Sequence, residues 1–320
     1  MPGNRENSVI LGLAFQSYPN SQPPARTCVR PSLPSNVPMI VESAIPAARD
    51  WVCALRRKGQ RVGFVPTMGA LHRGHLSLVE AAKKQCERVA LTIFVNPTQF
   101  APNEDLTAYP RPVDADLALC RSAGVDFVFT PAVADMYPTG AVTTIHVARL
   151  TDGLCGPLRP GHFDGVATVV AKLFNILPAD AAYFGEKDYQ QLQVIRRMTA
   201  DLNMPIEIVG CPTVREADGL ATSSRNVYLS APERRQAAAI SRALFAAVER
   251  VKQGERDTST ITDNIRQEIL AAGPATIEYV SAVDTDDLTP IARLHRRTRI
   301  CVAVRIGKCR LIDNVAVDAV

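Results

Sequence analysis

The sequence predicts an α/β fold built on a doubly wound parallel sheet, followed by a smaller carboxy-terminal α+β domain. Two observations support this prediction. Over the first two thirds of the chain, short and continuously apolar runs alternate with amphipathic helical segments, which is typical of a parallel sheet covered on both faces. In the last third, two helical segments precede a run of strand-like segments, which indicates a separate domain with its own sheet.

The elements of the first domain follow from apolar periodicity. Apolar positions three or four residues apart predict helices, and short unbroken apolar runs predict buried strands. The predicted helices cover 45–58, 75–86, 113–123, 163–177 and 189–202. The predicted strands cover 62–66, 90–95, 125–130, 181–184 and 206–209.

The alternation ends at Pro212 and the polar stretch 215–225. Beyond that stretch, the predicted helices cover 232–253 and 258–271, and the predicted strands cover 277–283, 299–305 and 309–317. We therefore expect two folded domains, 39–213 and 214–320. Residues 1–38 are rich in Pro, Ser and Asn without periodicity, so we expect a disordered extension. It lacks the amphipathic Arg-rich helix of a transit peptide, and an extended start before Met39 is the favoured interpretation.

Composition excludes several classes of protein. The chain has 36 Lys and Arg against 32 Asp and Glu, a net charge of +4, and the basic residues are scattered, so no nucleic-acid groove is expected. No apolar run approaches the roughly 20 residues that span a bilayer. The eight cysteines include no CxxC pair and no Cys/His cluster at zinc spacing, so we expect reduced thiols and a cytoplasmic location.

The first candidate motif is PTMGALHRGH (66–75), where a buried strand ends and a helix begins. Open parallel sheets bind ligands at this end of their strands, and amides at a helix N-terminus attract phosphate. Gly69 and Gly74 would let the backbone approach that phosphate. His72 and His75 are spaced to donate two hydrogen bonds to one triphosphate and to stabilise the charge on departing pyrophosphate. The alternative is that each histidine only caps or packs the loop.

Three further motifs follow strand ends or the expected domain boundary. In FVNPTQF (94–100), Asn96 and Gln99 suit a hydroxy acid, although Asn-Pro is also a common turn signal. In FGEKDYQQ (184–191), a cation at position 187 in the first helical turn is unfavourable unless an anion binds it, and Asp188 can accept hydrogen bonds from ribose. The alternative is an ordinary solvated helix start. Gln191 lies one turn further on the same side and can point at the substrate.

The fourth motif, VREADGLATSSRN (214–226), places hydroxyl groups and a guanidinium at the expected domain boundary. Such groups form a phosphate clamp, and an interdomain position would let it close over a nucleotide. A hydrophilic linker with incidental Ser and Arg fits the same letters.

Together with RPGHFDGV (159–166), these motifs resemble the pantothenate synthetase (pantoate–β-alanine ligase) family over residues 39–318. The HxGH pair is the signature of the Rossmann-like nucleotidyltransferases that include the class I aminoacyl-tRNA synthetases. Residues 222–225 take the place of the lysine-containing KMSKS loop of those synthetases, and RLIDN (310–314) is similar to the family's ending. The resemblance implies an ATP- and pantoate-binding domain at 39–213 and a smaller lid domain at 214–320.

The resemblance also implies the reaction. It is the ATP-dependent condensation of (R)-pantoate with β-alanine through pantoyl adenylate, with Mg²⁺ on the ATP phosphates, no protein metal ligand, and a homodimeric enzyme. The implied catalytic residues are His75, His72 and Lys187, with His75 as the proton donor. The implied substrate-binding residues are Asn96, Gln99 and Gln191. The implied ATP-binding residues are Met68, Gly69, Ala70, Leu71, His72, Arg73, Gly74, His75, Gly185, Glu186, Lys187, Asp188, Val214, Thr222, Ser223, Ser224 and Arg225.

Two residues depart from the family pattern. Cys155 stands where some members carry Glu, and Thr222 stands where Met or Leu is usual. Two other functions remain open at this point. An adenylyltransferase of coenzyme biosynthesis would leave AMP on its product, and HxGH alone does not exclude it. An inert nucleotide- or tRNA-binding module would tolerate loss of the histidines, but it would also carry a basic patch, which this chain lacks.

Overall fold

A computed structural model describes residues 38–102, 104, 106–295 and 297–317. The predicted extension 1–38 lies, except for its last residue, outside the described residues. The strands are β1 (Ile40–Glu42), β2 (Val62–Thr67), β3 (Arg88–Ile93), β4 (Phe127–Phe129), β5 (Ala181–Gly185), β6 (Glu207–Cys211), β7 (Thr276–Asp284), β8 (Thr298–Ile306) and β9 (Cys309–Val317). The helices are α1 (Ile45–Arg57), α2 (Arg73–Gln85), α3 (Val113–Ala123), α4 (Val133–Met136), α5 (His162–Ile176), α6 (Tyr189–Asp201), α7 (Ala231–Lys252) and α8 (Thr258–Ala271).

The predicted fold class is confirmed: a six-stranded parallel sheet with helices on both faces precedes a three-stranded antiparallel sheet. Periodicity did not predict β1 or α4. Each is too short for a repeating pattern, and Ile40 and Val41 of β1 lie half-exposed at the edge of the sheet. Three short 3₁₀ turns, Pro97–Gln99, Glu186–Asp188 and Ser224–Tyr228, were also not predicted.

The parallel sheet has the order β1-β4-β3-β2-β5-β6. From β2 the chain moves outward through β3 to β4, and then returns to β5 on the other side of β2. The strand order therefore reverses between β2 and β5. In open α/β sheets, ligands bind outside the carboxyl ends of the strands at such a reversal.

Alternating residues along the strands explain why both faces of this sheet are covered. Phe64 packs into a core with α1, α5 and α6, whereas the next residue, Val65, packs into a second core with α2 and α3. Both side chains are fully buried. Burial on both faces is the reason that these strands read as unbroken apolar runs.

The carboxy-terminal elements form a third core, in which α7 and α8 cover one side of the β7–β9 sheet. Helix α7 begins with a capping box, since Ser230 accepts from the Glu233 amide and Glu233 accepts from the Ser230 amide. The boundary at residue 214 stays a prediction. None of the helices in the described part of the chain is long and apolar enough to cross a membrane.

Candidate active site

The loop after β2 is held by a buried carboxylate. Asp116 of α3, only 1% exposed, accepts hydrogen bonds from the amides of Ala70 (2.8 Å) and Leu71 (2.7 Å). Gly69 and Ala70 both adopt left-handed backbone conformations, with φ of +80° and +49°. A Cβ on Gly69 would lie 2.9 Å from an Asp116 oxygen, so the turn needs glycine there. The amides of Ala70 and Leu71 therefore bind Asp116, whereas the sequence had led us to expect amides available for phosphate.

The two histidines of the HxGH pair form a reciprocal cap at the start of α2. The Gly74 amide donates to His72 Nδ1 at 3.1 Å, and the His72 amide donates to His75 Nδ1 at 3.3 Å. The two rings stack with their centroids 4.0 Å apart. A ring nitrogen that accepts a hydrogen bond carries no proton, so the proton of each neutral imidazole lies on Nε2. The cap thus turns both side chains into Nε2–H donors.

Glycine at position 74 is needed for this arrangement. A Cβ there would lie 2.9 Å from His72 Cε1, closer than real side chains allow. Gly74 therefore makes room for the His72 ring, rather than only for a phosphate as the sequence suggested. The Gly74 amide, one of the first amides of α2, is therefore already engaged within the cap.

Both imidazoles are held neutral. Burial, reinforced by neighbouring His72, lowers the pKa of His75 from 6.5 to about 3. Burial and the charge of Lys187 also lower the pKa of His72. At neutral pH His75 therefore carries a single ring proton, on Nε2, which it can donate to a hydrogen bond.

We expect the His75 ring to show no titration between pH 8 and pH 5 in an imidazole ¹⁵N NMR experiment. Its Nε2 should keep the proton throughout. The unfolded chain binds a proton near pH 6.5, whereas folded His75 does so only near pH 3. Between these values the unfolded state binds more protons, so His75 lowers the free energy of unfolding as the pH falls through that window. The same protein unfolded in urea is the control, and a His75 signal in the folded protein that titrated near pH 6.5 would contradict the assignment.

Asn96 holds the loop after β3 from inside the protein. Its side chain is 1% exposed, and its oxygen accepts from the Thr98 hydroxyl (3.0 Å) and the Tyr137 hydroxyl (2.7 Å). Its amide donates to Gln99 Oε1 (3.1 Å) and to the Gly165 carbonyl (3.2 Å). Asn96 thus lines the cavity with its polar atoms already engaged, and its geometry favours orienting Gln99. This orientation leaves the Gln99 Nε2 hydrogens as donors for a ligand.

Helix α5 packs directly on this loop because residue 165 is glycine. A Cβ on Gly165 would lie 2.4 Å from the Thr98 carbonyl oxygen and 2.8 Å from the Gln99 amide nitrogen. The backbone of the loop cannot move away without breaking the Asn96 hydrogen bonds. Gly165 therefore sets the distance between α5 and Gln99.

Gly165→Ala is expected to destabilise the protein by about 1–3 kcal/mol, the usual range for overpacking, and to displace Gln99. Urea unfolding measures the first effect and the KM for the hydroxy acid measures the second. Gly153→Ala is the matched control, since a Cβ there meets nothing within 4 Å. Equal free energies of unfolding for the two variants would contradict the prediction, because the loop would then have accommodated the added methyl group at no energetic cost.

Arg159 and His162 line the cavity although the sequence assigned them no role. Glu104 accepts from Arg159 Nε at 2.6 Å, Arg159 Nη1 donates to His162 Nε2 at 2.9 Å, and His162 Nδ1 donates to the Gln99 carbonyl at 2.8 Å. Burial and the Arg159 charge lower the pKa of His162 to about 4. This chain of contacts fixes the backbone of Gln99. The available signal was the cluster of polar residues just before the apolar helix α5.

Lys187 and Asp188 follow β5 in the 3₁₀ turn Glu186–Asp188, and α6 begins only at Tyr189. The sequence had placed Lys187 in the first turn of the α-helix. Its ammonium lies 3.9 Å from an Asp188 oxygen, and the Lys187 side chain is 20% exposed. Gln191 lies in the first turn of α6, and its side chain contacts the same cavity.

The segment after β6 carries the remaining candidates. Its base is a short hairpin closed by an Arg215–Ala221 bridge, and Arg215 makes a two-pronged ion pair with Asp313 at 2.6 and 3.0 Å. The Ser223 hydroxyl accepts from the Arg225 amide at 3.3 Å and caps the following 3₁₀ turn. The hairpin presents residues 222–225 to the cavity.

One cavity of about 260 Å³ at the sheet's strand-order reversal brings most of these groups together. The predicted site residues that line it are Met68, His72, Gly74, His75, Asn96, Gln99, Gly185, Lys187, Asp188, Gln191, Val214, Thr222, Ser223, Ser224 and Arg225. Gly69, Ala70, Leu71, Arg73 and Glu186 do not line it. Instead, Gly69, Ala70 and Leu71 shape the loop, Arg73 is exposed, and Glu186 pairs with Arg299 at 3.0 Å.

The other wall of the cavity is apolar. Helix α5 contributes it at positions 166, 169, 170 and 173, the spacing of one helical face: Val166, Val169, Val170 and Leu173. A wider interdomain cleft of about 980 Å³ adjoins the cavity and shares Arg159, Lys187, Asp188, Ser223 and Arg225 with it. The cleft is lined by further basic residues, Arg305, Lys308 and Arg310, and by the acids Glu104, Glu233 and Asp313.

Within the described residues there is no group of three or more His, Cys, Asp or Glu side chains arranged to hold a metal ion. The only carboxylate among the residues that line the 260 Å³ cavity is that of Asp188. Such a donor set fits a divalent cation that arrives with, and is held mainly by, the oxygens of a polyphosphate.

Known proteins are similar to this chain in sequence and in fold over nearly its whole described length. The family profile for pantoate-beta-alanine ligase matches residues 40–316. A pantothenate synthetase of Moorella thermoacetica is 52% identical over 274 residues, which are 86% of this chain and 97% of that protein. The crystal structure of the Thermus thermophilus pantothenate synthetase has a TM-score of 0.83 and 47% identity, and the match covers 88% of this chain and all of the other.

A third relative is a pantoate-beta-alanine ligase of Francisella tularensis, crystallised with beta-gamma ATP and beta-alanine. It is 36% identical to this chain with a TM-score of 0.71, over 87% of this chain and 98% of its own. The residues matched by the family profile include every motif described above. The chain therefore belongs to the pantoate–β-alanine ligase family.

Proposed function

We propose that this protein condenses pantoate with β-alanine to pantothenate, using ATP and forming pantoyl adenylate, AMP and pyrophosphate. Family membership supports the reaction, and a single observation supports the site. Two neutral imidazoles whose Nε2–H groups are left to donate, a lysine and the 222–225 segment all line one cavity at the strand-order reversal. These are donors suited to a triphosphate that gains charge as pyrophosphate departs.

ATP occupies the cavity and the adjoining cleft. We place its phosphates between the imidazoles of His72 and His75 on one side and Ser223, Ser224 and Arg225 on the other. Lys187 contributes positive charge, and Asp188 accepts from the ribose. Gly69, Ala70, Leu71 and Glu186 serve this site indirectly, by shaping the loop and the turn. The Francisella relative, crystallised with beta-gamma ATP and beta-alanine, supports this class of ligands.

Pantoate lies between Gln99, Gln191 and the apolar face of α5. The Gln99 amide hydrogens, left over after its oxygen accepts from Asn96, donate to the carboxylate or a hydroxyl. The gem-dimethyl carbon of pantoate packs against the valines of α5, where its transfer from water is favourable. Asn96 takes part by orienting Gln99.

The reaction has two steps. A pantoate carboxylate oxygen attacks the α-phosphorus of ATP, and the bond from that phosphorus to pyrophosphate breaks. The β-alanine amine then attacks the acyl carbon, the bond to the AMP oxygen breaks, and the amine loses a proton. The protein holds the reactants in line, donates hydrogen bonds to the departing pyrophosphate and excludes water from the adenylate. A Mg²⁺ ion that arrives with ATP would be held mainly by the phosphates and would shield their charge.

The smaller domain, 214–320, acts as a lid, because the cleft lies between it and the parallel sheet domain and the hairpin that carries 222–225 starts at its boundary.

We further propose a cytoplasmic homodimer, on the basis of the cysteine pattern and the family. Light scattering should give a mass near twice 34.7 kDa, and a value near 34.7 kDa would contradict the dimer.

The proposed function is tested with pantoate labelled with ¹⁸O in its carboxylate. The enzyme is incubated with ATP, Mg²⁺ and labelled pantoate, first without and then with β-alanine. We expect a burst of pyrophosphate without the amine, and then pantothenate plus AMP that carries one label. Unlabelled AMP would rule out the acyl adenylate, and an adenylylated final product would identify an adenylyltransferase instead.

A further inference from the structure

The turn that carries Lys187 is held by a side chain from the other domain. Asn314 of β9, 4% exposed, donates hydrogen bonds from Nδ2 to the carbonyl oxygens of Glu186 (3.0 Å) and Lys187 (2.9 Å). Both acceptors lie in the 3₁₀ turn Glu186–Asp188, more than a hundred residues earlier in the chain. One amide group therefore fixes two successive carbonyls of that turn.

Arg299 of β8 completes the contact. Its Nε donates to Asn314 Oδ1 at 2.7 Å, which fixes the orientation of the amide and leaves Nδ2 for the two carbonyls. Its Nη2 bonds Glu186 Oε2 at 3.0 Å, and its guanidinium stacks 4.1 Å above the Tyr189 ring. Arg299 is itself only 8% exposed. Asn314 thus holds the turn by its backbone, and Arg299 holds it by the side chain of Glu186.

Of the three side chains in this turn, that of Glu186 is held by Arg299, whereas those of Lys187 and Asp188 line the cavity and remain available to a ligand. The acid nearest to Lys187, Asp188, is 3.9 Å away, which is too long for a hydrogen bond. A flexible lysine side chain reaches a fixed point only if its backbone is fixed, and misplacement of a catalytic group by about 1 Å can reduce a rate by about 10²-fold. The geometry of the turn therefore bears on the chemical step.

We propose that Asn314 is a positioning residue for adenylate formation, which places the Lys187 ammonium by fixing the backbone of the 186–188 turn. This inference rests on the proposed function. It gives the carboxy-terminal domain a role in the reaction beyond covering the cleft. When the two domains are packed together, β9 completes the geometry of a catalytic group on the parallel sheet domain.

The test is a double-mutant cycle on the full chain, measured as the rate of pyrophosphate release with saturating ATP and pantoate. The variants are Asn314→Ala, Asn314→Asp, Lys187→Ala and the double variant Lys187→Ala with Asn314→Ala. Asn314→Asp keeps an oxygen for Arg299 but replaces the donors to the turn with a carboxylate oxygen, whereas Asn314→Ala removes the donors without adding a charge. Asn175→Ala is a control for the loss of an exposed asparagine that donates to a backbone carbonyl, that of Ala171, outside the cavity.

We expect both Asn314 variants to lower kcat about tenfold, and the double variant to be within about twofold of Lys187→Ala alone. Thermal melting tests whether the variants lose activity because they are less stable. If Asn314 were purely structural, the loss of rate would follow the loss of stability, and the effects of the Asn314 and Lys187 substitutions on kcat would multiply. If the wild type is active but the two substitutions reduce kcat multiplicatively in the double variant, the inference is wrong and the proposed function stands. The same holds if Asn314→Asp leaves the rate unchanged. A wild type that forms no adenylate would overturn the proposed function and this inference with it.

Discussion

Replacing His75 with alanine is expected to slow pyrophosphate release by about 10²-fold or more, and replacing His72 is expected to have a smaller effect. Removal of one preorganised donor at a site of developing charge typically has this size of effect. Each imidazole presents an Nε2–H because its Nδ1 accepts a backbone amide. Single-turnover kinetics with ATP and pantoate, without β-alanine, isolates the step.

Loss of the cap must be separated from loss of the donor. His75→Asn keeps an oxygen near the position of Nδ1 to accept from the His72 amide, but it lacks the Nε2–H. His75→Gln carries amide hydrogens near the position of Nε2. We expect His75→Asn to be as slow as His75→Ala and His75→Gln to recover part of the rate. His146→Ala, which removes an exposed histidine outside the cavity, is the control. Near-wild-type rates in both His75→Ala and His75→Asn would remove His75 from the mechanism.

The parallel sheet could be predicted from the sequence because its strands are buried on both faces. Phe64 and Val65 point to opposite sides and are both apolar, so β2 reads as one continuous run. Strand β1, short and half-exposed at the edge, gives no such signal. The order of the strands was likewise not predictable, because the pairing of β2 with both β3 and β5 depends on contacts far apart in sequence.

The groups that we propose to contact a ligand were easier to predict than the groups that hold them. His72, Gln99 and Lys187 lie in short polar motifs at strand ends. By contrast, Asp116 supports the loop from 46 residues away, and Asn314 supports the turn from the other domain. Nothing in the local sequence of either residue distinguishes a buried support from a solvated side chain.

The residues that form the apolar wall of the cavity were also not predictable from the sequence. Val166, Val169, Val170 and Leu173 repeat at helical spacing, as core residues do. Helix α5 is apolar on nearly all sides, so periodicity cannot tell the face that lines the cavity from the face that meets the sheet. Only the packing of α5 on the loop at Thr98, through Gly165, determines which face lines the cavity.

Lys187→Met is expected to slow pyrophosphate release by about 10²–10³-fold while changing the KM for ATP much less. The reason is the position of the Lys187 ammonium. Lys187 precedes the N-terminus of α6, where the helix dipole is also positive, so the ammonium is unfavourable there until an anion binds. Negative charge builds up on the departing pyrophosphate, so the interaction is stronger in the transition state than with bound ATP, and its loss appears mainly in kcat.

Methionine preserves the length and the apolar stem of lysine, so the variant removes the charge with little change in packing. Lys187→Arg keeps a charge in a planar and bulkier group and should recover only part of the rate. Lys252→Met, which removes a surface lysine paired with Glu249, controls for the change in net charge. Because β-alanine attack expels AMP rather than pyrophosphate, synthetic pantoyl adenylate given to Lys187→Met should still yield pantothenate at close to the wild-type rate. Equal losses in the two half-reactions would mean that Lys187 supports the shape of the site and not the departure of pyrophosphate.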